Sequence, residues 1–234
     1  MRVGVFVYDF PHFKSQQGIY NLVVNGIKPA VVFAQEKKEL KITRSAVKVA
    51  PSWLAVNHPS HITKALGLRY YVADHDSEYV EKIIETLRLD LGVVLGARIL
   101  KKHTIDAFKI GVLNMHPGII PVNRGLDNIK WAVLDGIKQG VTGHLIDDRV
   151  DMGAVIDIRI VPVHYNDSLM DIHLRVQDIE QLMMIDIVKA YSEGAVRTIP
   201  VASKGKYHKA CTPEEEALLL SQFDYYKQNY DDMK

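Results

Sequence analysis

The 234-residue chain has a single cysteine, Cys211, so it has neither a disulfide framework nor a cysteine-based zinc site. That suits a reducing compartment and leaves Cys211 as a buried or incidental thiol. No charge of one sign prevails either: 29 lysines and arginines face 28 aspartates and glutamates, a net charge of +1. Without a basic excess no field holds nucleic acid or an anionic membrane, and small molecules become the expected partners. Long hydrophobic runs are missing too. Nowhere do about 18 apolar residues follow one another, and the apolar start of MRVGVFVYDFPHF is too short for a signal h-region. These absences predict a cytoplasmic protein with no membrane partner. No Walker A loop or GxGxxG occurs, which removes nucleotide hydrolysis and hydride transfer from consideration.

What is present is a chain 47% apolar, enough for one substantial core. Val3 to Tyr8 reads as a buried first strand, followed by a helix over about Lys14 to Val24 and a strand over Ala30 to Ala34. The stretch framed by Pro51 and Pro59 reads as irregular. Ser77 then caps a helix whose Tyr79, Val80, Ile83, Ile84 and Leu87 share one face. Strands over Leu91 to Gly96 and Ile110 to Asn114, a helix over Asn128 to Ile137, and strands over Val141 to Ile146 and Ala154 to Val163 follow. The predicted fold is α/β, a doubly wound, mostly parallel sheet, whose ligand sites sit at the carboxyl ends of strands. A long helix after Ser168 carries Leu169, Ile172, Val176, Ile179, Met183 and Ile187 on its core face. Residues 1–193 are expected to form the main domain and 194–234 an extension. In that extension Thr212, Pro213 and Glu215 make a capping box for a last helix. Phe223, Tyr225, Tyr226 and Tyr230 of that segment read as exposed, as they would in a homodimer contact or a pocket wall.

The chemistry concentrates in one block, GVLNMHPGIIPVNRGLDNIKWAVLDGIKQGVTGHLIDDRVDMGAVI, from Gly111 to Ile156. A lone histidine is structural by default, and two histidines with a carboxylate could instead ligate zinc in a hydrolase. The block as a whole, with Asn114, His116, Pro117, Pro121, Arg124, Gly125, Trp131, Gly140, Val141, Thr142, His144, Val150, Asp151 and Gly153, resembles the N10-formyltetrahydrofolate-dependent formyltransferases. That family is metal-free and has a Rossmann-like fold. The resemblance makes Asn114, His116 and Asp151 the expected catalytic trio and His144 a support for Asp151. Formyl transfer to an amine develops a negative oxygen and a positive nitrogen. An asparagine amide can donate to the first, a near-neutral histidine can accept the proton of the second, and an aspartate can favour the imidazolium. The resemblance also implies that the backbone of Arg98, Ile99 and Leu100 hydrogen-bonds a pterin, with Asp147 and Asp148 shaping the loop beside it. N10-formyltetrahydrofolate is the implied formyl donor.

The acceptor is reached by elimination among relatives. The glycinamide ribonucleotide enzymes carry glycines after their first strand where a phosphate meets backbone amides, and here Tyr8, Phe10 and Phe13 stand there. The methionyl-tRNA enzymes add a domain of roughly a hundred residues and basic surfaces for RNA. The sequence therefore looks most like the sugar N-formyltransferases, with a nucleotide-linked amino sugar as acceptor. Tyr8, Phe10 and the C-terminal tyrosines are candidates to face the base, and Lys14, Arg124 and Lys204 or Lys206 to meet the diphosphate. A glycinamide ribonucleotide or other amine formyltransferase, and a binding module without catalysis, are the alternatives.

Overall fold

The computed structural model describes residues 1–37, 45, 47 and 55–233; residues 51–54 of the irregular stretch lie outside them. The chain opens with β1 (Val3–Tyr8), α1 (Phe13–Val24) and β2 (Val31–Gln35), and continues through α2 (Pro59–Ala65), β3 (Tyr70–Val72) and α3 (Glu78–Leu87). Then come β4 (Leu91–Val94), α4 (Lys102–Asp106), β5 (Gly111–His116), β6 (Arg124–Gly125), α5 (Asn128–Asp135), β7 (Gly140–Leu145) and β8 (Val155–Ile160). The long α6 (Leu169–Ser192), β9 (Tyr207–His208) and α7 (Pro213–Gln228) complete the fold.

Seven strands form one sheet in the order β3-β2-β1-β4-β5-β7-β8. The first five are parallel; β7 and β8 add antiparallel. Parallel strands with both faces covered need apolar residues at every position, which is why VGVFVY and VVFAQ run apolar without alternation. One face packs Ile19 and Leu22 of α1 with Ile172, Val176, Met183 and Ile187 of α6. The other packs Phe6 and Phe33 against Val80 and Ile84 of α3 and against Phe108. The chain builds outward from β1 to β3 and then returns to β4 on the far side of β1. The carboxyl ends of β1 and β4 therefore open a crevice.

The caps read from sequence form as expected. Ser77 Oγ accepts from the Val80 amide, and Thr212 and Glu215 exchange both bonds of a capping box. Ser168 and Asp171 make a second box. The elements α2, β3 and the two-stranded β6–β9 pair are additional to those expected from sequence, because elements of two to seven residues are too short to display a period. One expectation is corrected. Phe223, Tyr226 and Tyr230 are core residues with only 9%, 1% and 4% exposure, and Tyr225 alone of that group faces outward. The reason is packing of α7 on α5, which turns the aromatic face of the extension into the main core. Among the described residues, no helix is long and apolar enough to cross a membrane.

Candidate active site

Asn114 and His116 stand two residues apart on β5 and so share a face of the strand. The strand runs two residues past its expected end because Met115 and His116 pair with Gly143 and Thr142 of β7. The same register sets Asn114 opposite His144, and Asn114 Nδ2 lies 3.3 Å from His144 Nε2. His144 is fully buried, and burial, with His116 as neighbour, pushes its pKa down to about 4. A neutral His144 can accept one N–H of the Asn114 amide, leaving the second N–H for the pocket. His144 thus partners Asn114 more closely than Asp151, whose Oδ1 is 4.0 Å from Nε2.

His116 is 3% exposed. Its Nε2 lies 2.9 Å from the Asn123 carbonyl oxygen and 2.6 Å from the side-chain amide nitrogen of Asn128. Its Nδ1 points the other way, 3.4 Å from Asp151 Oδ1. Burial lowers the His116 pKa, and the Asp151 carboxylate and the Asn123 carbonyl oppose that shift. The imidazole is therefore neutral near pH 7 and able to take a proton. Gly118 makes this arrangement possible, since a Cβ there would come within 2.8 Å of His116 Nε2 and 2.6 Å of the Asn123 oxygen.

Asp151 sits in the left-handed region at φ 49. Its Oδ2 accepts from the Gly125 amide at 2.9 Å, while Arg124 Nη1 donates to the Val150 carbonyl at 2.7 Å. The Arg-Gly pair of the motif thereby fastens the loop that presents Asp151. The glycine of the Val-Asp-x-Gly pattern is fixed by contact as well: a Cβ on Gly153 would lie 1.8 Å from the Leu145 carbonyl oxygen.

These groups meet in a cavity of about 720 Å³ at the carboxyl ends of β1, β4 and β5. Tyr8, His12 and Lys14 form one wall, Gly96 to Leu100 a second, and Ile146, Asp147, Arg149, Val150 and Asp151 a third; Gly125, Leu126 and Tyr207 close the rim. Other expected residues have different places. Phe10 stacks on Tyr8 at 4.9 Å, outside the lining, and Asp148 is exposed beyond it. Arg124 is buried and spent on the Val150 carbonyl. Lys14 lines the cavity but bonds Glu180 at 2.7 Å and the Met115 carbonyl at 3.1 Å. Lys206 is held by both oxygens of Asp135, whereas Lys204 is exposed. Tyr226 and Tyr230 belong to the core, so they cannot face a base. Among the described residues no group of three or more His, Cys, Asp and Glu is placed to hold a metal ion.

The profile of the formyl transferase family matches residues 1–188. The chain belongs to the formyl transferase family. A curated relative, methionyl-tRNA formyltransferase from Bacteroides fragilis, is 29% identical over 126 residues, 53% of this chain and only 39% of that protein's length. Among solved structures, the N-formyltransferase from Helicobacter canadensis in complex with folinic acid and dTDP-3-aminofucose superposes with a TM-score of 0.64 at 17% identity, covering 97% of this chain and 82% of the other. Glycinamide ribonucleotide transformylase 1 from Symbiobacterium toebii gives a TM-score of 0.65 at 21% identity, covering 85% and 94%. At these identities the likeness is one of fold.

Membership accounts for the block from Gly111 to Ile156, yet several lining and supporting residues escaped the sequence reading. Asn123 and Asn128 flank the Arg-Gly pair inside the block and were legible as buried polar candidates only by position. His12 looked like any other histidine. Tyr207 has no local signal, because it reaches the rim only through the pairing of β9 with β6.

Proposed function

We propose that this formyl transferase moves the formyl group of N10-formyltetrahydrofolate to the primary amine of a nucleotide-linked amino sugar, with Asn114, His116 and Asp151 as catalytic residues. One observation carries the reading: an asparagine amide, a buried histidine and a carboxylate converge at the floor of a single cavity at the sheet's switch point. As the amine attacks the formyl carbon, the Asn114 N–H left free by His144 donates to the oxygen that becomes negative. The attacking nitrogen becomes positive, and His116 Nδ1, directly or through a water, takes its proton. Asp151 Oδ1 stands where it stabilises that imidazolium. The proton then leaves with the departing nitrogen of the donor, which regenerates neutral His116.

The donor fits the wall from Gly96 to Leu100. That turn presents backbone groups beside apolar Ile99 and buried Leu100, the environment a flat, hydrogen-bonding pterin requires. A Cβ on Gly96 would meet Tyr8 Cδ2 at 2.9 Å, so the turn has no room to carry a side chain in that direction. On this reading Asp147 and Asp148 belong to the loop beside the donor. The acceptor enters over the rim formed by Gly125, Leu126 and Tyr207 and passes Tyr8 of the wall. The Helicobacter canadensis relative, bound to folinic acid and dTDP-3-aminofucose, supports both choices. We further assign residues 1–193 as the catalytic unit and 194–234 as an extension that completes its rim and core.

The test is turnover of the purified chain with N10-formyltetrahydrofolate against three acceptors: a panel of nucleotide-linked 3- and 4-amino sugars, glycinamide ribonucleotide, and aminoacylated initiator tRNA. Higher catalytic efficiency on an amino sugar is the expected result. Preference for either other acceptor overturns the acceptor assignment, and no transfer to any of them overturns the reaction.

A further inference from the structure

One nitrogen of His116 has no task in the proposed chemistry. Nε2 points away from the cavity into a closed chamber made by the Asn123 carbonyl, the Asn128 side chain and Gly118. Asn123 and Asn128 are 1% and 2% exposed, so these contacts are closed off from bulk solvent. Asn123 is itself fixed, its Nδ2 donating 2.7 Å to the Asn128 carbonyl. A backbone carbonyl can only accept, so a close carbonyl oxygen at Nε2 demands a proton there. An amide side chain can present either its oxygen or its N–H₂ by a half-turn, and its choice is therefore coupled to the imidazole tautomer. As placed, the buried Asn128 Oδ1 has no partner. Turned toward His116 it gains one, the Nε2–H, which replaces the 3.2 Å hydrogen bond of Asn128 Nδ2 to the Asn123 carbonyl and removes a buried unpaired acceptor.

We infer that Asn128 is a positioning residue that holds His116 in the Nε2–H tautomer, so that the lone pair of Nδ1 is the one facing Asp151 and the cavity. The opposite arrangement, N–H₂ toward a bare Nε2, puts the proton on Nδ1 and buries the only proton acceptor behind Asn123 and Asn128. Asn128 touches no substrate; it acts through His116 alone. This inference rests on formyl transfer as the reaction, but the tautomer itself is a property of the resting protein.

Nitrogen-15 NMR of the full chain labelled at histidine reads it directly. With His116 assigned through a His116→Gln comparison, Nε2 is expected at a protonated, pyrrole-type shift and Nδ1 at an unprotonated, pyridine-type shift at pH 7.5. The reverse assignment overturns the inference whether or not the protein transfers formyl groups. In Asn128→Ala, kcat is expected to fall about 5- to 10-fold, the factor a lost neutral hydrogen bond supplies, with the KM of both substrates unchanged and mixed tautomer signals. Asn128→Asp keeps an oxygen at Nε2–H and adds charge. It is expected to restore most of kcat while moving the acidic limb of the pH profile upward. Asp151, His144 on β7, Lys14 on α1 and Glu180 on α6 also face this imidazole and stay the same in both variants. A wild-type spectrum and pH profile in Asn128→Ala would assign Asn128 a purely structural role and overturn the inference.

Discussion

His116 Nδ1 lies 3.4 Å from Asp151 Oδ1, and the carboxylate is held there by the Gly125 amide rather than by the histidine. The proposed base and its counter-charge are thus positioned independently. His116 needs no ion pair to stay in place and can remain neutral until a proton arrives. This arrangement sets the pH behaviour of the reaction. Burial lowers the His116 pKa, and a general base works only unprotonated, so activity should hold through neutrality and fall on the acid side. The midpoint of that fall should lie below about 6.5, the ordinary histidine value.

Substitutions at this pair follow the same sign. Asp151→Asn removes the charge that opposes the lowering, so the acidic limb should move to still lower pH while kcat drops, because the imidazolium loses its stabilising partner. His116→Ala should lower kcat by about 10²–10⁴-fold. A pH profile of kcat for the three proteins checks both statements.

Asn114→Ala removes the proposed donor to the developing oxyanion and should cost roughly 10²–10³-fold in kcat. His144→Leu leaves Asn114 in place but frees its amide to turn, so it should lower kcat with little change in KM. Unchanged kcat in His144→Leu would show that strand pairing alone orients Asn114.

Two glycines of the motif block should respond differently. Gly118→Ala drives a methyl to 2.6 Å from the Asn123 carbonyl oxygen and 2.8 Å from His116 Nε2 and the side-chain nitrogen of Asn128, a milder overlap that displaces the histidine, so activity should be lost before the fold is. Gly153→Ala meets the Leu145 carbonyl carbon and oxygen, backbone that cannot give way, so loss of fold should come first. Thermal melts beside turnover numbers separate the two cases.

Lys130 on α5 and Glu216 on α7 form a buried pair at 2.8 Å, with Asp127 as a second acceptor for the lysine. Glu216→Leu should destabilise, but by less than the about 3–5 kcal/mol of a buried charge left wholly unpaired, because Asp127 still pairs with Lys130 at 3.0 Å. Lys130→Met together with Glu216→Leu should recover much of that loss. Truncation before Pro213 should unfold the chain, because Leu219, Phe223 and Tyr226 belong to the main core. Urea unfolding of these variants provides the measurement.

The sequence by itself determined six strands of the main sheet, the long helices and their caps, because uninterrupted apolar runs, helical stripes and Ser or Thr caps are local patterns. It also pointed to Asn114, His116 and Asp151 through a block whose glycines and arginine prove to be the fastenings of the site. Tertiary structure decided the rest. The partner of His144 depends on the register between β5 and β7, which no single strand encodes. Phe223, Tyr226 and Tyr230 looked exposed on an isolated helix and are covered because α7 packs on α5 and Tyr230 bonds Gln139 and Val161. Lys14 and Arg124 looked like free cations until Glu180, the Met115 carbonyl and the Val150 carbonyl, all distant along the chain, took up their hydrogen bonds. Local periodicity fixes which face of an element is apolar; only contact between elements fixes which polar group is left with nothing to do but chemistry.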